Sequence, residues 1–215
     1  MRSPRLALAL LAAGCLVSAP AVAAAPAGGG DQALARSIML RVSDLPAGWS
    51  QVPDPAKDTG CFSSILKKRA PTAYLAPHVK LVDSEVQVSA AQVVAVYGSV
   101  AAARRALTAT SAPAGFACYH RALRAILARG GIDLVSFAGA PLPFAPLGDQ
   151  VAAFRFSAAV TKGASKSALS LDFIFARRGR VLIETGLVDE VGQLSASGEH
   201  ILLAKVLART PATKG

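Results

Sequence analysis

Hydrophobic and polar residues alternate along the last third of the chain in the two-residue period of β-strands. Phe154 and Phe156 alternate with Arg155 and Ser157, and the same period returns after each following turn. Turn sequences containing glycine and basic residues separate these segments. The pattern predicts an antiparallel meander with strands over residues 132–140, 151–160, 168–176 and 181–188.

The last hairpin of this meander allows two registers. A two-residue turn at Arg178-Gly179 would place Phe173 opposite Glu184. A three-residue loop would instead place Phe173 opposite Thr185 and Phe175 opposite Ile183. We expect the three-residue loop from the pattern of apolar side chains.

Helical periodicity marks the rest of the chain. Apolar residues at helical spacing, with capping or breaking residues at the ends, predict helices over residues 31–42, 100–110, 116–128 and 197–209. Alternation over residues 82–88 and 93–97 predicts extended chain before the second helix. The predicted fold class is α+β: an antiparallel sheet with a C-terminal β-meander, packed with helices and stapled by one disulfide.

The N-terminus has the pattern of an export signal. Arg2 and Arg5 precede an apolar run that ends in small residues suited to signal peptidase. We predict a signal peptide at residues 1–25, a flexible tether at 26–30, a single α+β domain at 31–209 and a disordered tail at 210–215. The protein is then secreted. The alternative is a lipoprotein acylated at Cys15, because residues 12–15, Ala-Ala-Gly-Cys, approximate a lipobox.

Two cysteines, Cys61 and Cys118, follow the signal sequence. Paired cysteines usually form disulfides in oxidising compartments. We therefore expect one bridge between them, and two buried thiols are the alternative.

The single tryptophan, Trp49, lies in the turn-rich segment "VSDLPAGWS". Pro46 ends the preceding helix and Gly48 allows the chain to reverse. We assign Trp49, Pro46 and Gly48 a structural role, with a largely buried indole that packs near the Cys61–Cys118 bridge. A binding role for Trp49 is the alternative.

The chain is strongly basic, with 23 Lys and Arg against 13 Asp and Glu, a net charge of +10. Such a charge suits anionic partners, and it also serves solubility. An exported protein whose basic clusters lack interleaved aromatic residues does not fit nucleic acid. The candidate contacts for an anionic lipid or wall polymer are Lys67, Lys68, Arg69, Arg177, Arg178 and Arg180, with Arg104, Arg105, Arg121 and Arg124 as further basic residues.

Motifs for hydrolase, zinc, dinucleotide and phosphate-loop chemistry are absent from the sequence. His78, His120 and His200 are far apart in the chain, which disfavours a metal site. We therefore predict no catalytic residue, no metal and no cofactor. The alternative is a cell-envelope enzyme of unknown type that uses Arg155, Asp172 and Glu184 as its charged cluster.

Several segments together resemble a family of exported actinobacterial domains. These are "LRVSDLPAGW", a cysteine about a dozen residues later, a helical cysteine near mid-chain, "LGDQVAAFRF", "FARRGRVLIE" and a closing amphipathic helix. The pattern is similar to the PknH-type extracellular sensor domain of mycobacterial serine/threonine kinases and to its secreted or lipoprotein relatives. The chain departs from the kinase sensors in offering one disulfide rather than two, and it contains no kinase domain.

The resemblance implies an antiparallel sheet with helices around a cleft that binds an unidentified ligand, without an established enzyme activity. We accordingly expect an exported, non-catalytic, sensor-like domain that acts as a monomer on an unknown ligand or cell-envelope component. The expected cleft lies between the sheet and the helix pair of residues 100–128.

Overall fold

The computed structural model describes residues 29–53, 65–76, 79–83, 88–189 and 195–211. The strands are β1 (Trp49–Pro53), β2 (Ala73–Leu75), β3 (Val79–Asp83), β4 (Val88–Val96), β5 (Asp133–Pro141), β6 (Gln150–Lys162), β7 (Ser165–Arg178) and β8 (Val181–Asp189). The helices with defined bounds are α1 (Gly29–Ile38), α2 (Val100–Thr110), α3 (Pro113–Arg129) and α4 (Ala196–Ala208). A short 3₁₀ turn, Val42–Asp44, follows α1.

The strands form one antiparallel sheet in the order β1-β3-β4-β8-β7-β6-β5, with β2 beside β4. Strands β5 to β8 are the predicted meander, and its last strand pairs with β4 at the centre of the sheet. The α+β class with an antiparallel sheet is therefore confirmed.

Helices cover both faces of the sheet. On one face, the α1–α4 face, Val94, Ile174 and Ile183 pack with apolar residues of α1 and α4. On the other face, the α2–α3 face, Phe156 and Phe175 pack with apolar residues of α2 and α3. Strands β7 and β8 are consequently buried on both sides along most of their length.

The register that we expected for the last hairpin is wrong. Phe175 lies opposite Glu184 and Phe173 opposite Gly186, across a two-residue turn, Gly179–Arg180. Gly179 has φ of +58° at the first central position of this turn, where a type II′ hairpin favours glycine. Because both faces of these strands are buried, pairing apolar residues across the strands could not select the register.

The N-terminal segment differs from the prediction at its end. Helix α1 stops at Ile38, four residues earlier than expected, and the backbone N–H of Leu40 donates to the side chain of Gln92 on β4 (2.7 Å). Trp49 then begins a strand, β1, that the sequence analysis did not predict, and β2 was likewise missed.

The disulfide included in the fold class involves two cysteines, of which only Cys118 is among the described residues. Cys118 lies buried on α3 and is disulfide-bonded. Cys61, its predicted partner, lies outside the described residues, which therefore contain no pair of Sγ atoms. The fold class is therefore stated without assigning the partner of Cys118.

Within the described part of the chain, no helix has the length and apolar character needed to cross a membrane. The predicted signal peptide and Cys15 lie outside it, as do residues 212–215 of the predicted tail.

Candidate functional site

A cavity of about 430 Å³ opens on the α1–α4 face. One side of α4 forms one wall, and the segment between the 3₁₀ turn and β1 forms another. The lining is mostly apolar: Leu45, Pro46, Trp49, Val88, Leu187, Ile201 and Leu202, with Asp44, Ser195, Gly198, Glu199 and Lys205 as its other members. This volume and lining are typical of small-molecule sites.

An ion pair attaches the outer wall of this cavity to the body of the protein. Asp44 accepts hydrogen bonds from Arg209 just beyond α4, at 2.9 and 3.0 Å, and from the backbone N–H of Arg41 at 2.8 Å. Burial opposes ionisation of Asp44, but the bonds from Arg209 and Arg41 outweigh it and lower its pKa. The positive φ of Gly48, +102°, then lets the chain turn into β1.

Trp49 is half-buried. Its indole packs against the core of the α1–α4 face and also lines the cavity. The aromatic ring is therefore shared between the core and the candidate site, while Pro46 and Gly48 are exposed in the turn before it. The structural role assigned to these three residues stays a prediction.

Glu199 is the polar residue that distinguishes this cavity. It lies in the first turn of α4, is 3% exposed, and accepts no hydrogen bond at either carboxyl oxygen from a described donor. Burial is the largest influence on its pKa, and the neighbouring Asp172 carboxyl raises it further, to about 9, against a smaller opposing effect of Arg155. Glu199 is thus uncharged at neutral pH, with its O–H directed to the Asp172 carboxylate.

Asp172 is fully buried on the α1–α4 face behind Glu199. Arg155, its cross-strand neighbour, donates to both of its carboxylate oxygens, with Nε to Oδ1 at 2.7 Å. Because both carboxylate oxygens accept from Arg155, this bidentate ion pair fixes the position of Asp172. The site can therefore offer a neutral carboxyl group at Glu199, supported by a fixed ion pair.

The charged cluster considered for an enzyme does not come together. Arg155 and Asp172 are paired, but Glu184 lies on the opposite α2–α3 face, where the Tyr119 hydroxyl donates to it at 3.0 Å. The sheet separates the two sites because side chains of a strand point alternately to its two faces. The described residues also contain no group of three or more His, Cys, Asp or Glu side chains arranged to hold a metal ion.

The predicted anionic-partner residues divide into two groups. Lys67, Lys68 and Arg69 are exposed, as expected. Arg177 instead is 3% exposed and donates to Asp149, Gln150 and the carbonyl of Gly179. Arg178 donates to the carbonyl of Leu207, and Arg180 pairs with Asp31. The three arginines of the hairpin therefore connect structural elements.

A second cavity, of about 390 Å³, lies on the α2–α3 face, where the sequence analysis placed the cleft. Aromatic residues of α3, β5 and β6 line it, and His120 stacks on Phe137 with 5.1 Å between ring centroids. His200 lies on α4, on the other face, and contacts the carbonyl of Pro146 (3.2 Å). His78 lies outside the described residues.

Sequence reasoning did not identify Glu199. One feature of the sequence could have indicated this residue: Glu199 is the single acidic residue of α4, a helix otherwise rich in alanine and leucine. Helical spacing places Glu199, Leu202 and Val206 near one face, so the buried side of the helix includes the carboxyl group.

Comparison with solved structures finds a similar fold, whereas comparison of sequences finds no match. No protein-family model matches the chain, and no curated protein matches it in sequence. Among solved structures, the extracellular domain of PknH from Mycobacterium tuberculosis has a similar fold, with a TM-score of 0.50 and 9% identity over 83% of this chain and 95% of that one. A protein of unknown function from Pseudomonas aeruginosa, PA94, aligns over 66% of this chain and 83% of its own at 14% identity, but with a TM-score of only 0.21.

Proposed function

We propose that this protein is an exported, non-catalytic, sensor-like domain that binds an apolar small molecule in the cavity between α4 and Trp49. The observation that carries the proposal is a largely apolar cavity of about 430 Å³ with one buried, uncharged carboxyl group in its wall. The similar fold of the extracellular domain of PknH supports the export and sensing part of the proposal.

The size and lining of the cavity favour an apolar ligand. Sites of this volume bury most of a small molecule, and apolar walls supply affinity while a few polar groups set orientation. Here the wall residues come from β4, β8, α4 and the segment before β1, so a ligand would contact four parts of the fold at once.

The charges around Glu199 favour a ligand without an anionic head group. Glu199 is neutral because a second negative charge beside Asp172, in a buried site, is unfavourable. A ligand carboxylate placed there would meet the same penalty, whereas a hydroxyl group can donate a hydrogen bond to the Glu199 carbonyl oxygen once that side chain turns towards the cavity. Lys205 also lines the cavity and is exposed, so it provides the competing site for an anion.

N-phenyl-1-naphthylamine, an uncharged probe that fluoresces in apolar surroundings, tests the proposal. We expect its emission to rise on binding, and we expect 1-decanol to displace it at lower concentration than decanoate. Trp49, the single tryptophan, reports the same event through energy transfer to the probe.

Leu45→Trp fills the cavity from its wall and should lower probe affinity about tenfold or more. Leu142→Trp is the matched control, because Leu142 packs against the same core without lining the cavity. Equal probe binding by wild type and both variants would contradict the proposed site. Decanoate displacing better than decanol, with the preference lost in Lys205→Gln, would place the polar contact at Lys205 instead.

A further inference from the structure

The outer surface of α2 and α3 carries an unbalanced positive charge. Five arginines, Arg104, Arg105, Arg121, Arg124 and Arg129, are exposed there, and residues 100–132 contain no Asp or Glu. None of the five guanidinium groups has an ion-pair partner among the described residues. In contrast, Arg155, Arg177, Arg180 and Arg209 each pair with an aspartate.

The packing of the two helices directs these arginines outwards. Ala103, Ala106 and Leu107 of α2, and Tyr119 of α3, are buried against the α2–α3 face of the sheet. By helical spacing, Arg105, Arg121 and Arg124 therefore lie on the side away from the sheet, and Arg104 and Arg129 lie at its flanks. We call this surface, formed by the five arginines, the α2–α3 basic face.

An exposed aliphatic side chain accompanies the charges. Val100, at the start of α2, is 39% exposed and is one of the four large hydrophobic residues that are exposed among the described residues. It precedes Arg104 by four residues, so the two side chains lie near the same side of α2. Basic groups mixed with exposed aliphatic residues suit a lipid headgroup region, where arginine pairs with phosphate while an apolar side chain enters the acyl boundary.

We propose that the α2–α3 basic face docks on an anionic lipid membrane. The opposite α1–α4 face, with its cavity, would then point away from the lipid and remain open. The docking does not depend on the cavity ligand, so either proposal can fail alone. The proposed contact surface differs from the one that the sequence predicted. The hairpin arginines are held in contacts within the protein. The arginines of the α2–α3 basic face have no ion-pair partner among the described residues.

The energetics favour a salt-sensitive, reversible attachment. A basic residue near an anionic membrane increases partitioning about fivefold, and the effect declines within a Debye length of about 8 Å at physiological salt. Several arginines acting together should therefore give measurable binding at low salt. Most of it should be lost as the salt concentration rises.

The test is co-sedimentation with vesicles of pure phosphatidylcholine and vesicles containing about one third phosphatidylglycerol, at low and physiological salt. We expect binding to the anionic vesicles only. Arg121→Gln with Arg124→Gln should lower it about thirtyfold, from about fivefold for each charge. The matched control is Lys162→Gln with Lys166→Gln, which removes two exposed charges from the β6–β7 hairpin and should change binding much less.

Val100→Ser distinguishes a membrane from a soluble polyanion. If the basic face docks on lipid, this variant should lower vesicle binding several-fold and leave binding to inorganic polyphosphate unchanged. Equal losses for the arginine and lysine double variants would overturn the assignment to this face. Polyphosphate binding as tight as vesicle binding, together with no effect of Val100→Ser, would assign the face to a polymer rather than a membrane. Circular dichroism of each variant checks that the fold is retained.

Discussion

Replacing Glu199 by Gln should change how the stability of the protein depends on pH. Gln has the shape of a protonated Glu but stays uncharged at every pH, and its amide can donate to Asp172 as the carboxylic acid does. The substitution therefore removes one titration while keeping the volume and the hydrogen bond. Near neutral pH it should stabilise the protein.

The magnitude follows from the pKa of Glu199 in the two states. In the unfolded chain the group ionises near its ordinary value of 4.5, whereas in the folded protein it keeps its proton up to about pH 9. Between these values the folded state binds one proton more than the unfolded state, so the free energy of unfolding falls by up to about 1.4 kcal/mol per pH unit as pH rises. From about pH 5.5 to about pH 8 the Glu199 contribution therefore falls by about 3 kcal/mol.

Burial, which is the largest influence, and the neighbouring charges together set the sign of this effect. Asp172 raises the pKa of Glu199, and Arg155 lowers it by less. Asp189 lies on the same face and acts on Arg155, while Asp44 and Lys205 line the same cavity from the loop and from α4. These groups are the same in wild type and in Glu199→Gln, so the difference between the two stability profiles isolates the Glu199 proton.

Urea unfolding followed by circular dichroism at a series of pH values measures this difference. We expect wild type and Glu199→Gln to be similar near pH 5 and to diverge steadily up to pH 8, with the variant the more stable. Asp133→Asn, which removes an exposed carboxylate at the start of β5, is the control and should run parallel to wild type. Parallel profiles for wild type and Glu199→Gln would refute a raised pKa at this position.

Two further substitutions test contacts that the structure reveals. Trp49→Ala should lower the free energy of unfolding by about 2 kcal/mol, roughly half the cost for a fully buried aromatic residue, because the indole is half-buried; urea unfolding measures this, and an unchanged midpoint would show that the indole contributes nothing to the core. Arg177→Met should lower the free energy of unfolding by about 1 to 3 kcal/mol, because it removes the hydrogen bonds to Asp149 and Gln150 and leaves the buried carbonyl of Gly179 without this donor. Lys68→Met, at an exposed position, should leave the melting temperature within a degree or two, and equal melting of both variants would contradict the buried role of Arg177.

The local elements of the fold could be predicted from the sequence alone. Helices α2, α3 and α4 and strands β5 to β8 lie within a few residues of their predicted positions. Their periodicity and end signals are properties of short segments. Pro113 at the first turn of α3 and Gly163 with positive φ in the β6–β7 turn show the same local control of the backbone.

The site could be predicted only in part. The sequence marked Trp49 and the turn before it, and it marked Arg155 and Asp172 as charged neighbours. It did not reveal that Glu184 lies on the opposite face or that Glu199 joins Asp172 from α4. The hairpin arginines also differed from the expectation, because the sequence could not show that Asp31 and Asp149 would bind two of them.

The sequence by itself determined where helices α2 to α4 and strands β5 to β8 lie, because backbone preference and apolar periodicity act over neighbouring residues. The tertiary structure alone decided the strand order, the covering of both sheet faces and the neighbours of each buried charge. These depend on contacts between distant parts of the chain, such as the bond between Arg209 and Asp44 across 165 positions. A pattern of apolar residues shows that a face is buried, but only packing determines which element covers it and which carboxyl groups meet there.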